Sequence, residues 1–310
     1  MAGINAQSIK ELRERTQAPM GDCKSALVEA DGDMDKAIEI IIKKGIVKGA
    51  KRAGAVASEG EVRASVSADK RHATVVEVNI QTDFSARNDA FRSFVGDALA
   101  VAEKAPLGSD LATQPLGDAT VGDAAVALTA KIGEKIAVRR WDRVEIAAGA
   151  QGLTHAYVHM GGKIGVVVAL ATGTAEAAAH ADVNAFADEL AMHIAAANPL
   201  VLKRDEVTAD LVAKQKELFE GQLRDDPKPK PEAAWPKIIE GKFNKWYSET
   251  ALVEQESVVN QQQIGKQLDA LSKAVGTTVS IARFVRYERG EGIEKKTDDF
   301  AAEVAKMAAS

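Results

Sequence analysis

The chain has 310 residues, long enough for two or more domains, and carries a net charge of −5. This acidic balance gives no reason to expect broad attraction to a nucleic-acid backbone. No apolar run is long enough to cross a bilayer and the N-terminal region lacks the apolar segment of a signal peptide, so a cytoplasmic protein is expected. The single cysteine, Cys23, excludes an internal disulfide and is predicted to be a buried thiol.

Three short helices are predicted in residues 1–54. Ser8 and Glu11 have the spacing of a capping box, which places the start of the first helix near Ser8. The second is expected from about residue 22 to 30. Asp33 has the position of an N-cap for the third helix, and Gly45 is expected to end it. The basic run that follows is expected to be a solvated face; its members are Lys43, Lys44, Lys48, Lys51 and Arg52.

Residues 55–140 are predicted to form the first unit of a core. Alternating apolar residues predict a β-hairpin over residues 62–80. Apolar residues at helical spacing then predict helices over residues 91–102 and about 122–132. A strand that contains Ile136 and Val138 is expected to close the unit.

Residues 141–290 are predicted to form a second unit with the same order of elements. A strand is expected at Val144–Ile146, followed by a hairpin over residues 153–170 that turns at Gly161-Gly162. Helical spacing of apolar residues predicts a helix over residues 183–194. The repeated order of strand, strand and helix indicates a structural duplication.

Residues 205–250 are predicted to be an insertion in the second unit. Two amphipathic segments flank Asp225–Pro236, a proline-rich stretch that cannot continue a helix, so an antiparallel helical hairpin is expected. A short helix at Ile264–Leu271 and a strand at Thr278–Tyr287 follow, and the strand is expected to rejoin the second sheet. Residues 291–310 are predicted to form a C-terminal helical module. The whole pattern predicts an α+β fold with small antiparallel sheets.

The segment Gln81–Asp89 joins a predicted strand, Ala73–Asn79, to the helix that begins near Phe91. It places an acid and an aromatic, Asp83 and Phe84, at a strand-to-helix junction, where side chains are presented to partners. A structural alternative makes Asp83 an N-cap and packs Phe84 onto Phe91.

Catalytic chemistry is not predicted. Of the five histidines, His155 and His159 fall on one face of a strand, but no cysteine or carboxylate joins them at metal-ligand spacing. Neither Gly161-Gly162 nor Gly290-Glu291-Gly292 is followed by the lysine and hydroxyl of a phosphate-binding loop. We therefore expect no enzyme, no metal, no cofactor and no GTP site in the chain itself.

Six segments, in the same order along the chain, resemble one family, bacterial elongation factor Ts. They are Lys10–Cys23, Gln81–Asp89, Lys131–Ile136, Tyr157–Val168, Met192–Pro199 and Arg286–Lys295. The resemblance implies a guanine-nucleotide exchange factor that binds elongation factor Tu in its GDP-bound and nucleotide-free forms. Such a factor displaces Mg²⁺ and GDP and so allows GTP reloading during translation elongation. It also implies a ubiquitin-associated-like N-terminal domain and a coiled-coil protrusion at residues 205–250.

The resemblance carries partner-binding roles to particular residues. The family segment that dislodges Mg²⁺ from elongation factor Tu matches four consecutive residues, Thr82, Asp83, Phe84 and Ser85. The aromatic of that segment wedges between helices of the partner's G domain. This role falls on Phe84, with Asp83 as its polar neighbour.

Further contacts with the partner are implied at four positions. His159 matches a histidine that presses near the start of the helix after the partner's phosphate loop, and Ile132 and Gly133 match a contact strip close to it. Met20 falls in a loop of the N-terminal domain that touches the G domain. The structural alternatives are a hydrogen-bonded sheet histidine for His159 and simple core packing for Met20.

The chain departs from the family pattern in two places. Ser85 stands where the family often has valine, and Glu256-Ser257 stand where it commonly has Pro-Phe, so neither apolar contact is carried over. The alternative function is an adaptor that binds partners through its N-terminal helices and coiled coil without affecting nucleotide release. A small-molecule enzyme that uses His155 and His159 is the third hypothesis.

Overall fold

The computed structural model describes residues 4–16, 20–51, 55–228 and 230–294. Within these ranges the fold is α+β, with helices and small antiparallel sheets, as predicted. None of the helices in the described ranges combines the length and the apolarity that a membrane span requires. The predicted C-terminal helix lies outside the described residues.

The N-terminal helices are α1 (Ala6–Thr16), α2 (Met20–Glu29) and α3 (Met34–Lys51). They bury one small core, which contains Leu12, Cys23, Ala26, Leu27 and Ala37, so the prediction of a buried thiol is confirmed. Such a core stabilises α1 and α2, which have 11 and 10 residues and are too short to persist alone in water.

Two predicted boundaries in this region are wrong. Helix α1 is capped by Asn5, whose Oδ1 accepts from the Ser8 N–H at 2.9 Å, so Ser8 lies inside the first turn and is not the cap. Helix α3 continues through Gly45 to Lys51. Its packing along a later helix, α6 (Val121–Ile132), offsets the roughly 1 kcal/mol cost of a glycine in a helix interior.

The first sheet has the order β1-β2-β5, built from β1 (Glu59–Val66), β2 (His72–Ile80) and β5 (Ala137–Glu145). Helices α5 (Asp89–Ala102) and α6 cover its outer face, and the core between them contains Val76, Val78, Ile80, Phe91, Val95 and Val121. A short helix, α4 (Asp83–Ala86), and a two-stranded β3–β4 hairpin (Pro115–Leu116, Ala119–Thr120) complete this half. The predicted hairpin and both predicted helices are therefore present.

The predicted separate strands at Ile136–Val138 and Val144–Ile146 are one strand, β5, which pairs with β2. The intervening residues 139–143 are mostly charged, so the sequence shows no apolar alternation there. The strand tolerates these charges because its arginines donate to the Glu77 carboxylate and to the Ala102 carbonyl. β5 crosses residue 140, the predicted end of the first unit. The division of the chain into domains stays a prediction.

The second sheet has the order β6-β7-β8, built from β6 (Gln151–His159), β7 (Ile164–Thr172) and β8 (Val279–Glu288). Two helices cover its outer face, α8 (Ala181–Ala197), which follows the short α7 (Ala175–Ala179), and α11 (Ile264–Ala274). The predicted return of the last strand to this sheet is confirmed.

The inner faces of the two sheets pack against each other. Their shared core consists of small and β-branched residues: Val62, Ala73, Val75, Val144, Val167 and Ala169. Gly165 permits the close approach, because a Cβ at this position would lie 2.5 Å from Val62 Cγ1. The core is thus a four-layer sandwich of helices, sheet, sheet and helices.

The insertion forms the predicted helical hairpin of α9 (Ala209–Arg224) and α10 (Trp235–Thr250). Phe219 and Phe243 join the two helices with ring centroids 5.2 Å apart. Pro236 lies in the first turn of α10 and not in the connection, because a proline there removes no helical hydrogen bond. At the base, Arg204 holds the Glu254 carboxylate with two bonds of 2.5 and 2.6 Å.

A buried carboxylate, Glu77 on β2, links the sheets to the loop that follows β8. It accepts hydrogen bonds from Arg139 at 3.1 Å, Arg140 at 2.6 Å, Asn79 at 3.0 Å and the Gly290 N–H at 2.7 Å. Burial opposes ionisation of Glu77, but the Gly290, Asn79 and Arg140 bonds outweigh it and hold the pKa of this carboxyl below its ordinary value.

Replacing this carboxylate is expected to destabilise the core. Glu77→Gln keeps the volume but removes the charge that both arginines require, so the free energy of unfolding should fall by about 3 kcal/mol. Urea unfolding at pH 7 measures this. Glu145→Gln is the control, because its carboxylate is half-exposed in an ion pair with Arg143 and its loss should cost less than about 1 kcal/mol. Equal losses of unfolding free energy in Glu77→Gln and Glu145→Gln would contradict the stabilising role of the buried Glu77 carboxylate.

His193 on α8 is fully buried and positions the segment that follows the helical hairpin. Its Nδ1 accepts from the Val258 N–H at 3.2 Å, so the proton lies on Nε2, which donates to Gln255 Oε1 at 2.9 Å. Gln255 in turn donates to the Glu249 carbonyl at 2.7 Å. Burial lowers the pKa of His193, although the Gln255 bond acts in the opposite direction.

Stability should therefore depend on pH through His193. The unfolded chain binds a proton there near the ordinary pKa of 6.5, while the folded chain, whose His193 pKa is lowered, binds it only at lower pH. The free energy of unfolding should be pH-independent at this site well above pH 6.5 and should fall as the pH is lowered below about 6.5. Denaturant titrations across this range test it: His193→Gln should flatten the slope, and the exposed His159→Gln should not.

Candidate partner interface

The junction after β2 forms the one-turn helix α4 and presents Phe84 to solvent. Thr82 is its N-cap, with Oγ1 accepting from the Ser85 N–H at 3.2 Å. The next helix, α5, has its own cap, Asn88, and Phe91 is fully buried. Phe84 is 81% exposed. The structural alternative is therefore wrong: Asp83 is not an N-cap, and Phe84 does not pack onto Phe91.

The carboxylate of Glu134 fixes α4 to the loop after α6. It accepts from the Thr82 N–H at 2.9 Å, from Thr82 Oγ1 at 2.8 Å and from Ser85 Oγ at 2.6 Å. The residues next to this pair are also joined: Gln81, which precedes Thr82, accepts through Oε1 from the N–H of Lys135, which follows Glu134, at 2.9 Å. Sequence reasoning missed Glu134, although it lies inside the Lys131–Ile136 segment.

Ser85 has a polar role in this structure. Its hydroxyl donates to Glu134 at 2.6 Å, a bond that a valine has no group to make. The serine therefore supplies an internal hydrogen bond between α4 and the loop after α6.

Asp83 stands beside Phe84 with its side chain about half exposed. Its Oδ2 lies 3.4 Å from Arg87 Nη2, one turn later, in an ion pair that solvent screens. The exposed surface of α4 thus combines one large aromatic ring with one accessible carboxylate.

Ile132 and Gly133 end α6 directly before Glu134. Gly133 has φ of +87°, a left-handed conformation that closes the helix, and its N–H donates to the Thr129 carbonyl. Ile132 is half-buried against the core between the first sheet and helices α5 and α6. These two residues and α4 therefore lie side by side, joined through the Glu134 carboxylate.

His159 is exposed at the end of β6. Its Nδ1 and the Tyr157 hydroxyl are 2.8 Å apart. One ring nitrogen of His159 is therefore hydrogen-bonded within the sheet, as the structural alternative expected, but the ring remains exposed to solvent. Met160 follows at the turn and is 72% exposed, with φ of +47°, a large apolar residue that sequence reasoning did not single out.

The β6–β7 turn rests on β1, close to the end of the first sheet that carries α4. The Val62 N–H donates to the Gly162 carbonyl at 2.8 Å. A Cβ at Gly162 would lie 2.4 Å from Glu61 Cγ, so only glycine fits this contact. Glu59, the first residue of β1, pairs with Ile80, the last residue of β2, and α4 begins three residues after Ile80. The turn contacts β1 near Glu61 and Val62, so the turn and α4 lie toward the same end of the sheet.

Met20 is the first residue of helix α2, so the expectation that it lies in a loop is wrong. It is 60% exposed, so the alternative of simple core packing is wrong. Exposed methionine is well suited to contact a partner, because its unbranched side chain adapts to irregular surfaces.

The histidine pair has ordinary structural partners. His155 Nε2 lies 3.2 Å from Asp188 Oδ1, and His159 pairs with Tyr157. Across the described ranges, no group of three or more His, Cys, Asp or Glu side chains is arranged to hold a metal ion.

Comparison with known proteins decides the family. A family model described as Elongation factor TS matches residues 81–291. Elongation factor Ts of a Nitratiruptor species is 45% identical over 305 residues, which cover 97% of this chain and 98% of that protein. The chain belongs to the elongation factor Ts family. Elongation factor Ts of Symbiobacterium thermophilum is 42% identical over 310 residues, 99% of both chains, and that of Clostridium perfringens is 42% identical over 308 residues, 98% and 99% of the two chains. The family assigns the chain to translation elongation in protein biosynthesis.

Removing Glu134 should loosen α4 without unfolding the core. Three backbone amides report on this turn: Ala86, Arg87 and Asn88, which donate to carbonyls within it. In Glu134→Ala, their hydrogen exchange should speed up about five- to tenfold, because about 1 kcal/mol of local stabilisation is lost. Exchange of the buried β2 amides, measured in the same experiment, should not change. Equal protection of the turn in parent and variant would contradict the anchoring role.

Proposed function

We propose that this chain is a guanine-nucleotide exchange factor for elongation factor Tu. It binds the GDP-bound GTPase, displaces Mg²⁺ and GDP, and so allows GTP reloading during elongation. Family membership supports this activity, and one observation carries the assignment to a site: Phe84 is held almost fully exposed on an anchored turn.

The energetic requirement is differential binding. A protein that binds nucleotide-free elongation factor Tu more tightly than the GDP-bound form weakens GDP binding by the same factor, because the coupling is reciprocal. Nucleotide in a GTPase is held by the phosphate loop and by Mg²⁺ that bridges the phosphates. The exchange factor therefore needs a rigid group that displaces the segments around the metal.

Phe84 is that group in this proposal. A phenylalanine offers a large apolar contact area and has only two side-chain torsions to restrict, so it is an economical wedge. Leaving its ring exposed costs the free protein solvation free energy, which insertion between helices of the partner's G domain recovers. Asp83 adds a carboxylate that competes for the donors and cations around the metal site. Thr82 and Ser85 complete the segment.

The other contacts extend the interface from α4. His159 at the β6–β7 turn presses near the helix after the partner's phosphate loop, and the Ile132–Gly133 strip lies beside it. Met20 reaches the G domain from the N-terminal helices. Their exposure or their closeness to α4 supports these roles.

The finer architecture is proposed on the same basis. The first three helices form a ubiquitin-associated-like domain, the two sheet-and-helix units arose by duplication, and the α9–α10 hairpin is the coiled-coil protrusion. The protein acts in the cytoplasm as a binding factor and not as an enzyme. It makes no direct contact with nucleic acid or membrane.

Phe84→Ala should remove most of the acceleration of GDP release. Truncating an aromatic anchor at an interface typically costs about 2 kcal/mol or more, so the second-order rate constant for exchange should fall by about 30-fold or more. Release of a fluorescent GDP from elongation factor Tu of the same organism, with increasing amounts of this protein, measures it. The melting temperature should stay near that of the parent, because the ring is exposed.

Leu107→Ala is the matched control, since Leu107 is an exposed apolar residue in a different loop. It should exchange at the parental rate. Parental exchange by Phe84→Ala would refute the wedge assignment. Binding of the parent without any acceleration would instead favour the adaptor function.

A further inference from the structure

We propose that Glu134 is the positioning residue of the exchange reaction: its carboxylate holds α4 in place while Phe84 is driven into the partner. This inference rests on the proposed function and names the residue that makes the wedge rigid. Glu134 itself is only partly exposed, and the resemblance assigned it no role.

The need for an anchor follows from the size of α4. The helix has four residues, and none of them is buried. A single helical turn fixes many torsions for few hydrogen bonds and does not persist alone in water. A wedge on such a turn would be pushed back by the side chains it has to separate, unless another part of the protein holds the turn.

Glu134 meets that need with three hydrogen bonds to the N-cap and the first turn of α4. Thr82 Oγ1 donates to Glu134 at 2.8 Å while it accepts from the Ser85 N–H at 3.2 Å, so the cap and the anchor use the same atom. Ser85 Oγ and the Thr82 N–H add two further bonds, at 2.6 and 2.9 Å. Three bonds to one ionised carboxylate are stronger than three neutral ones.

The anchor also joins two parts of the proposed interface. Glu134 follows directly after Gly133, whose left-handed conformation turns the chain toward α4. When the partner pushes against Phe84, the hydrogen bonds of Glu134 therefore resist movement of α4 relative to the end of α6. In the proposed interface, the Ile132–Gly133 strip contacts the partner at that same end. The two contact segments are thereby held at a fixed separation.

A double-mutant cycle tests this. Glu134→Ala should reduce the acceleration of fluorescent GDP release about tenfold in the parent, and by less than about twofold in Phe84→Ala, because an anchor matters only while there is a wedge to hold. Glu134→Gln keeps one carbonyl acceptor for the two hydroxyls. Its acceleration of GDP release should lie between that of the parent and that of Glu134→Ala. A merely structural role would lower exchange equally in both backgrounds.

Glu103→Ala is the control, because this carboxylate accepts a similar bond from Ser65 at a partly buried site on the other end of α5. It should exchange like the parent. Parental exchange by Glu134→Ala, or equal losses with and without Phe84, would overturn this inference while the exchange function stands. If the parent itself failed to accelerate GDP release, the proposed function would fail instead, and this inference with it.

Discussion

The buried carboxylate of Glu77 is the constraint on which the arrangement of this protein depends. It accepts hydrogen bonds from two arginines of β5 and from the backbone of the loop after β8, so two strands of the first sheet and the end of the second sheet share one polar centre. A buried charge is stable only when it is this fully paired. Since Glu77 lies close to the end of β2, it fixes the strand that delivers the exposed turn.

The residues of the turn divide into those that hydrogen-bond to one another and those that do not. Thr82, Ser85 and Glu134 use their polar groups on one another, and Phe84 and Asp83 between them are left for a partner. The free protein therefore meets the ordering cost of the contact surface before binding. In the proposed exchange function, preorganisation of this kind leaves more of the binding energy available to distinguish the nucleotide-free partner from the loaded one.

Most elements were predictable from periodicity, since hairpins and amphipathic helices reveal themselves locally. The split of β5 was wrong because its arginines pair with Glu77, which is distant in sequence, and no local pattern shows such a partner. Gly45 failed as a helix end because packing on α6 overrides propensity. Exposure of Phe84 and the Glu134 anchor depend on contacts across the fold, so residue types alone favoured the opposite, packed conformation.

The most direct test of the central claim is a pair of affinities, those of this protein for nucleotide-free and for GDP-bound elongation factor Tu. An exchange factor should bind the nucleotide-free form much more tightly. The ratio of the two dissociation constants should equal the factor by which the protein weakens GDP binding. Equal affinities for both forms would contradict the account, because a ligand with no preference between two states shifts neither.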